Sequence, residues 1–210
     1  MDQDNKPSSQ FSVRVRNRLV SAVRASQTAD DVFDEAVVDF LGVSRSDGRC
    51  LDIVDRLGKV TAGRLAAESG LTTGAVTALV DRLERLGYLT RSRDTADRRK
   101  VWIEATDLTR RFNRHLFAHL EVVLGPLFQR FTPDQVAAIT EYLEIGTYIN
   151  RQRAALLQEH LLAPGASREE RLAEAEAFDA EAIKLSHCIG EQISRGESPR
   201  GFADPETDEA

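Results

Sequence analysis

Apolar positions recur along this chain with two different periods, and the change of period locates the elements. Residues 11–27 (FSVRVRNRLVSAVRASQ) alternate weakly between apolar and polar faces at helical spacing. Thr28, with Asp31 three residues on, has the form of an N-cap and predicts a second helix from there to about Leu41, stopped by Gly42. Ser44 or Ser46 caps a third, in which Cys50, Leu51, Val54 and Leu57 share one face and Gly58 is the stop. Val60 is a short extended link. Thr61 caps a brief helix, AGRLAAES, that ends at Gly70. After the LTT turn, GAVTALVDRLERLG places Val76, Leu79, Val80, Leu83 and Leu86 on one apolar stripe. Thr73, Gly74, Thr77, Ala78, Asp81 and Arg82 lie off it.

The period then becomes two. Tyr88–Ser92 and Lys100–Ala105 are expected strands around RDTADRR, with Val101, Ile103 and Ala105 alternating against Lys100, Trp102 and Glu104. Asp107 or Thr109 opens a long helix toward Phe131, which Gly125-Pro126 should kink or divide. Thr132-Pro133-Asp134-Gln135 combines an N-cap, a first-turn proline and a glutamine at the capping-box position, so a further helix should run to about Leu162. Ala163-Pro164-Gly165 is a linker. Ser167-x-x-Glu170 starts a last helix with an apolar seam of Leu172, Ala175, Ala182, Leu185, Ile189 and Ile193, closed by Gly196.

This order predicts a mainly α fold with a small β-hairpin wing: a winged helix-turn-helix DNA-binding domain plus long dimerisation helices. The expected segments are a partly helical N-terminal extension (1–27), helices joining the dimerisation and DNA-binding parts (28–58), the winged helix-turn-helix core (59–106), long dimerisation helices (107–162), a C-terminal extension helix (163–196) and an acidic disordered tail (197–210). Residues 1–10 read as a disordered start. The long helices carry more apolar surface than a small winged module can cover, which implies a two-fold homodimer.

Composition narrows the function. The chain has 210 residues with 28 Lys+Arg, 34 Asp+Glu and a net charge of −6. No apolar run approaches the roughly 20 residues that cross a bilayer, so no membrane partner is expected. The start, MDQDNKPSSQ, lacks a secretory h-region, and the cytoplasm is the expected compartment. Two cysteines, Cys50 and Cys188, lack metal-ligand spacing, so neither metal nor cofactor is expected. No phosphate loop, nucleophile elbow, HExxH or CxxC is present, and the chain does not read as an enzyme.

Charge is uneven. From Arg82 to Lys100 there are seven basic side chains (Arg82, Arg85, Arg91, Arg93, Arg98, Arg99, Lys100) against Glu84, Asp94 and Asp97. A basic island in an acidic chain is a footprint for a polyanion. Thr72, Thr73, Gly74, Thr77, Ala78 and Arg82 are the candidate recognition-helix residues, because small residues allow close approach and threonine meets both phosphate and a thymine methyl. Arg91, Arg93, Asp97, Arg98, Arg99 and Lys100 are the candidate wing residues. Asp81 is expected to pair internally with Arg85 or Arg82, and Trp102 to pack against a neighbouring helix.

The block LAAESGLTTGAVTALVDRLERLGYLTRSRDTADRRKVWIEAT resembles the multiple antibiotic resistance regulator (MarR) family. Its specific features are LVDRLERLGYLTR and Asp97-x-Arg99 followed by Ala105-Thr106, where the family often has Leu-Thr. The helix order extends the resemblance more loosely over Asp30 to about Leu162. It implies a homodimeric transcriptional regulator on double-stranded DNA, a recognition helix in the major groove, and Arg99, with Arg98 beside it, at the minor groove. Asp97 would orient Arg99, and Thr72 stands where many members carry a residue facing that arginine. The resemblance also implies repression relieved by a small, frequently aromatic or anionic effector, whose identity and binding residues the sequence leaves unknown. Alternatives are a redox sensor at Cys50, a metal sensor at His115 and His119 with His160 or His187 approaching in a dimer, and a protein-interaction module on a vestigial winged domain.

Overall fold

A computed structural model describes residues 12–197, which form two compact units dividing between Ala118 and His119. The first holds α1 (Val13–Leu41), α2 (Arg45–Leu57), β1 (Lys59–Val60), α3 (Ala62–Ser69), α4 (Thr73–Arg85), β2 (Leu89–Arg93), β3 (Val101–Ala105) and α5 (Asp107–Phe117). The second holds α6 (Glu121–Phe128), α7 (Pro133–Glu159) and α8 (Arg168–Ser194). A 3₁₀ turn, Ala118–Leu120, spans the division.

The helix starts follow side-chain chemistry. Ser44, not Ser46, caps α2: its Oγ accepts from Asp47 N–H while the Asp47 carboxylate accepts from Ser44 N–H at 3.0 Å. Thr61, Thr72 and Thr106 cap α3, α4 and α5, each hydroxyl accepting one first-turn backbone N–H. The expected start at Thr28 is corrected. Ser12 caps α1, which runs unbroken through Thr28. The Thr28 hydroxyl donates to the Arg24 carbonyl at 3.0 Å, so it serves the helix interior instead of beginning a new helix. The segment boundary expected at 27/28 therefore falls within one helix.

The core of the first unit joins Cys50, Leu51, Ile53 and Val54 of α2, Leu65 of α3, Val76, Leu79, Val80 and Leu83 of α4, and Val60, Leu89, Ile103 and Ala105 of the sheet. Leu86, expected on the α4 stripe, is 48% exposed, because the helix ends at Arg85 and Leu86 is its C-cap. The expected hairpin is a three-stranded antiparallel sheet, β1-β3-β2. Val60 pairs with Ile103, and Leu89 with Ala105. The link expected at Val60 thus becomes an edge strand beside β3.

Helices α1 and α2 approach closely at Gly48. A Cβ there would run into Val38 Cγ1 far inside van der Waals contact. Val38 is the buried residue of α1. Gly70, at φ +70°, makes the left-handed turn that separates α3 from α4.

In the second unit, Thr132 with Gln135 and Ser167 with Glu170 form capping boxes at the starts of α7 and α8. Helix α7 ends at Glu159, a turn short of Leu162. The interruption expected at Gly125-Pro126 lies upstream, at Ala118–Leu120, and Pro126 sits inside α6. Proline cannot donate to the Val122 carbonyl and crowds it, so the first turn of α6 is the weakened one. Of the α8 seam, Ile189 is buried and Leu172 and Ile193 are exposed. The disorder expected for residues 1–10 and the acidic tail lies outside the described residues.

Gly48→Ala should force α1 and α2 apart. We expect a loss of about 1–3 kcal/mol in chemical denaturation; unchanged stability would contradict the close approach.

Candidate nucleic-acid interface

Helix α4 has two unlike faces. Val76, Leu79, Val80 and Leu83 anchor it in the core. Thr73, Gly74, Thr77 and Ala78 are exposed and small enough to let a backbone or base edge come close. Thr72 contributes differently: its hydroxyl accepts from Ala75 N–H at 3.3 Å, so it begins the helix and holds its first turn.

Arg82 sits at the far end of this helix, and its guanidinium is engaged. Nε donates to Asp47 Oδ2 at 3.1 Å and Nη2 to Asp47 Oδ1 at 2.5 Å. Asp47 is 1% exposed and also completes the capping box of α2 as its N3 residue. Burial pushes its carboxyl up, but the hydrogen bonds from Arg82 and Ser44 together outweigh that and hold it below its ordinary range. A depressed carboxyl contributes stability that is present at neutral pH and lost as pH falls through the lowered value.

Arg91 of β2 is also engaged. Its guanidinium pairs with Asp81 at 2.7 Å and with Glu84, both on α4. This corrects the pairing expected for Asp81, whose partner is Arg91 and not Arg85 or Arg82. Arg85 instead donates to the Asp81 backbone carbonyl at 3.3 Å. The hairpin is thereby tied to α4.

The wing tip is built around Asp94. Its Oδ1 accepts from Ala96 N–H at 2.8 Å and Asp97 N–H at 2.9 Å, and its Oδ2 from Trp102 Nε1–H at 2.7 Å. The backbone donors of Asp97 and Ala96, with the indole between them in effect, hold its pKa at about 2. Trp102, half-buried on β3, also carries two cations over its ring: Lys100 Nζ and Lys59 Nζ lie 4.3 and 4.9 Å from its centroid. Asp97 Oδ1 accepts from the Arg99 backbone N–H at 3.0 Å, fixing the main chain beneath that side chain. Arg93, Arg98, Arg99 and Lys100 are all exposed. The wing therefore holds a tip built on carboxylate hydrogen bonds and an exposed cationic crown.

Two features were not read from the sequence. Asp47 was missed although Ser44-x-x-Asp47 is a capping signal, because its second partner, Arg82, is remote along the chain. The other is a cleft of about 240 Å³ between α1, α2 and α5. Its apolar walls come from Val38, Leu41, Leu51, Tyr88, Phe112 and Phe117. Phe112 meets Tyr88 and Phe40 at centroid distances of 6.1 and 6.3 Å, and the Tyr88 hydroxyl donates to the Leu41 carbonyl at 2.8 Å.

Cys50 is fully buried, and burial pushes its thiol up against the opposing hydrogen bond from Ser69. That is the environment of a core residue, not a reactive one. Among the described residues no cluster of three or more His, Cys, Asp and Glu could hold a metal. His160 is paired with Glu174 at 2.7 Å within the second unit. No helix among the described residues is long and apolar enough to cross a membrane.

Residues 43–101 match the model of the MarR family. The chain is 35% identical over 124 residues to the uncharacterized HTH-type transcriptional regulator YcgE of Bacillus subtilis (strain 168), covering 59% of this chain and 80% of YcgE. It is 30% identical over 102 residues to YwhA of the same organism, another uncharacterized HTH-type transcriptional regulator, covering 49% and 73%. Among solved structures it is similar to a MarR family protein from Bacillus stearothermophilus, at 20% identity and a TM-score of 0.47 over 63% of this chain and 93% of that one.

Arg82→Ala strands a buried carboxylate and should lower stability by about 2–3 kcal/mol in denaturant titration. Arg99→Ala should leave stability unchanged within about 0.5 kcal/mol. Equal effects would contradict the distinction. The single tryptophan reports on the wing tip. Trp102 emission should hold steady from pH 7 to 4 and change as pH falls towards 2, a step that Asp94→Asn removes. A midpoint at the ordinary carboxylate value of 3.8 would contradict the hydrogen-bonded tip.

Proposed function

The chain belongs to the MarR family of transcriptional regulators, and from that premise we propose that it is a cytoplasmic homodimer that represses transcription by occupying promoter DNA until a small molecule releases it. It is a winged-helix DNA-binding regulator, not an enzyme. The observation that carries the reading of its interface is the juxtaposition in one unit of the small, exposed face of α4 with an exposed cationic wing tip.

In this reading Thr73, Gly74, Thr77 and Ala78 face base edges in the major groove. Arg93, Arg98, Arg99 and Lys100 follow the backbone and reach the minor groove, where a narrow groove concentrates negative potential. Thr72, Arg82, Arg91 and Asp97 hold this surface in place: one caps α4, two tie it to its neighbours, and one fixes the backbone at Arg99.

The homodimer is supported by apolar side chains left uncovered in each unit. On α1 these include Val13, Val15, Leu19, Val32 and Phe33; in the second unit they include Val122, Val123, Leu127, Phe128 and Leu143. Many large apolar side chains left exposed along the same helices favour a protein interface. A two-fold dimer presents two recognition helices to successive turns of one duplex. Release follows if a molecule in the α1–α2–α5 cleft binds one dimer conformation better than the other; equal affinity for both would shift nothing.

Fluorescence anisotropy on a duplex selected from a random pool, across salt concentrations, tests the DNA reading. Arg99→Ala should weaken binding and reduce the slope of log K against log salt by about one. Unchanged affinity and slope would remove Arg99 from the interface.

A further inference from the structure

We propose that the α1–α2–α5 cleft takes an organic cation, a small molecule with one aromatic or aliphatic body and a positively charged head. The proposal rests on reading this cleft as the effector site and adds the chemistry of what enters it.

The cleft itself is an apolar, aromatic-walled recess, and its volume of about 240 Å³ suits one ring and a short head. Its polar side decides the charge. Asp31 and Asp34 of α1 and Asp52 and Asp55 of α2 line its solvent-exposed edge. Two arginines, Arg45 and Arg49, also line it, and each is engaged with other groups. Arg45 pairs with Glu35 through Nε, and its Nη2 donates to the Asp31 carbonyl at 3.3 Å. Arg49 donates to the Ser69 carbonyl at 3.5 Å. Among the described residues, Asp34, Asp52 and Asp55 have no ion pair within 4.0 Å. Arg56, the cation that acts on Asp52, is itself 3.4 Å from Glu68.

Four carboxylates against two arginines leave an excess of negative charge along the exposed edge of an apolar recess. Burial pushes the Asp52 carboxyl up, Asp34 and Asp55 push it further, and Arg56 opposes them. An entering anion would lose its hydration and meet these carboxylates, a cost its apolar contacts must overcome. An entering cation relieves their repulsion and finds the rings of Tyr88, Phe112 and Phe117 beside it. The anionic effector implied by the family resemblance is therefore the disfavoured one.

Isothermal titration of the full chain with two ligands of like shape and opposite charge tests this: protonated 2-phenylethylamine and 3-phenylpropanoate, at pH 7. The ammonium should bind at least about tenfold more tightly than the carboxylate. Asp52→Asn/Asp55→Asn should reduce ammonium binding at least about tenfold and narrow the preference. Asp52→Asn should also raise the ligand-free Tm, because it removes a crowded charge, a gain opposite in sign to its effect on binding. Equal or tighter binding of the carboxylate would overturn the charge assignment while leaving the cleft as an effector site. Binding of neither ligand up to about 10 mM would overturn the proposal together with the effector reading on which it rests.

Discussion

A buried carboxylate must be partnered or it destabilises the fold that buries it, and in this chain that carboxylate is Asp47. It closes the capping box of α2 through Ser44 and takes both guanidinium contacts of Arg82 from α4. The start of one helix and the end of another are therefore set by the same group. Beside it, Gly48 lets α1 lie against α2. From α4, Asp81 and Glu84 hold Arg91 and with it the wing. The face proposed to meet DNA is thus positioned by a short series of contacts running from α1 to the hairpin. The same helix, α2, lines the cleft, so a molecule bound there touches the first members of that series.

The arginines of the basic island look alike in sequence and do two different jobs. Arg82 and Arg91 satisfy carboxylates of neighbouring elements. Arg98, Arg99 and Lys100 project from a tip whose shape is set by Asp94 and Trp102. Charge that neutralises an internal carboxylate supplies little to a phosphate backbone, so fewer of these side chains are available to one than the count of basic residues suggests. Most of the island's cations left exposed and unpaired with those carboxylates gather at the tip.

What was legible in the sequence was local. Capping boxes at Thr132 and Ser167, a serine cap at Ser44 or Ser46, and the stops at Gly42, Gly58, Gly70 and Gly196 act within one turn of helix, and they place the elements. The α4 stripe and the alternation of β3 follow from period alone. Thr28 misled because a threonine hydroxyl can cap a helix or bond back within one, and the choice depends on whether the preceding residues are helical. Pro126 misplaced a break because its strain falls on the turn before it. The long-range pairings were not legible: Asp47 with Arg82 joins residues 35 apart, and nothing around either names the other. The cleft escaped for the same reason, since its walls come from α1, α2 and α5.

Hydroxyl-radical footprinting of the full chain on a selected duplex tests the central claim most directly, that a paired recognition helix and a cationic wing tip together read DNA. Two protected segments should appear on one face of the duplex, centred about one helical turn, or a whole number of turns, apart, each flanked outward by minor-groove protection. A single segment, or protection spread evenly along the duplex, would contradict it.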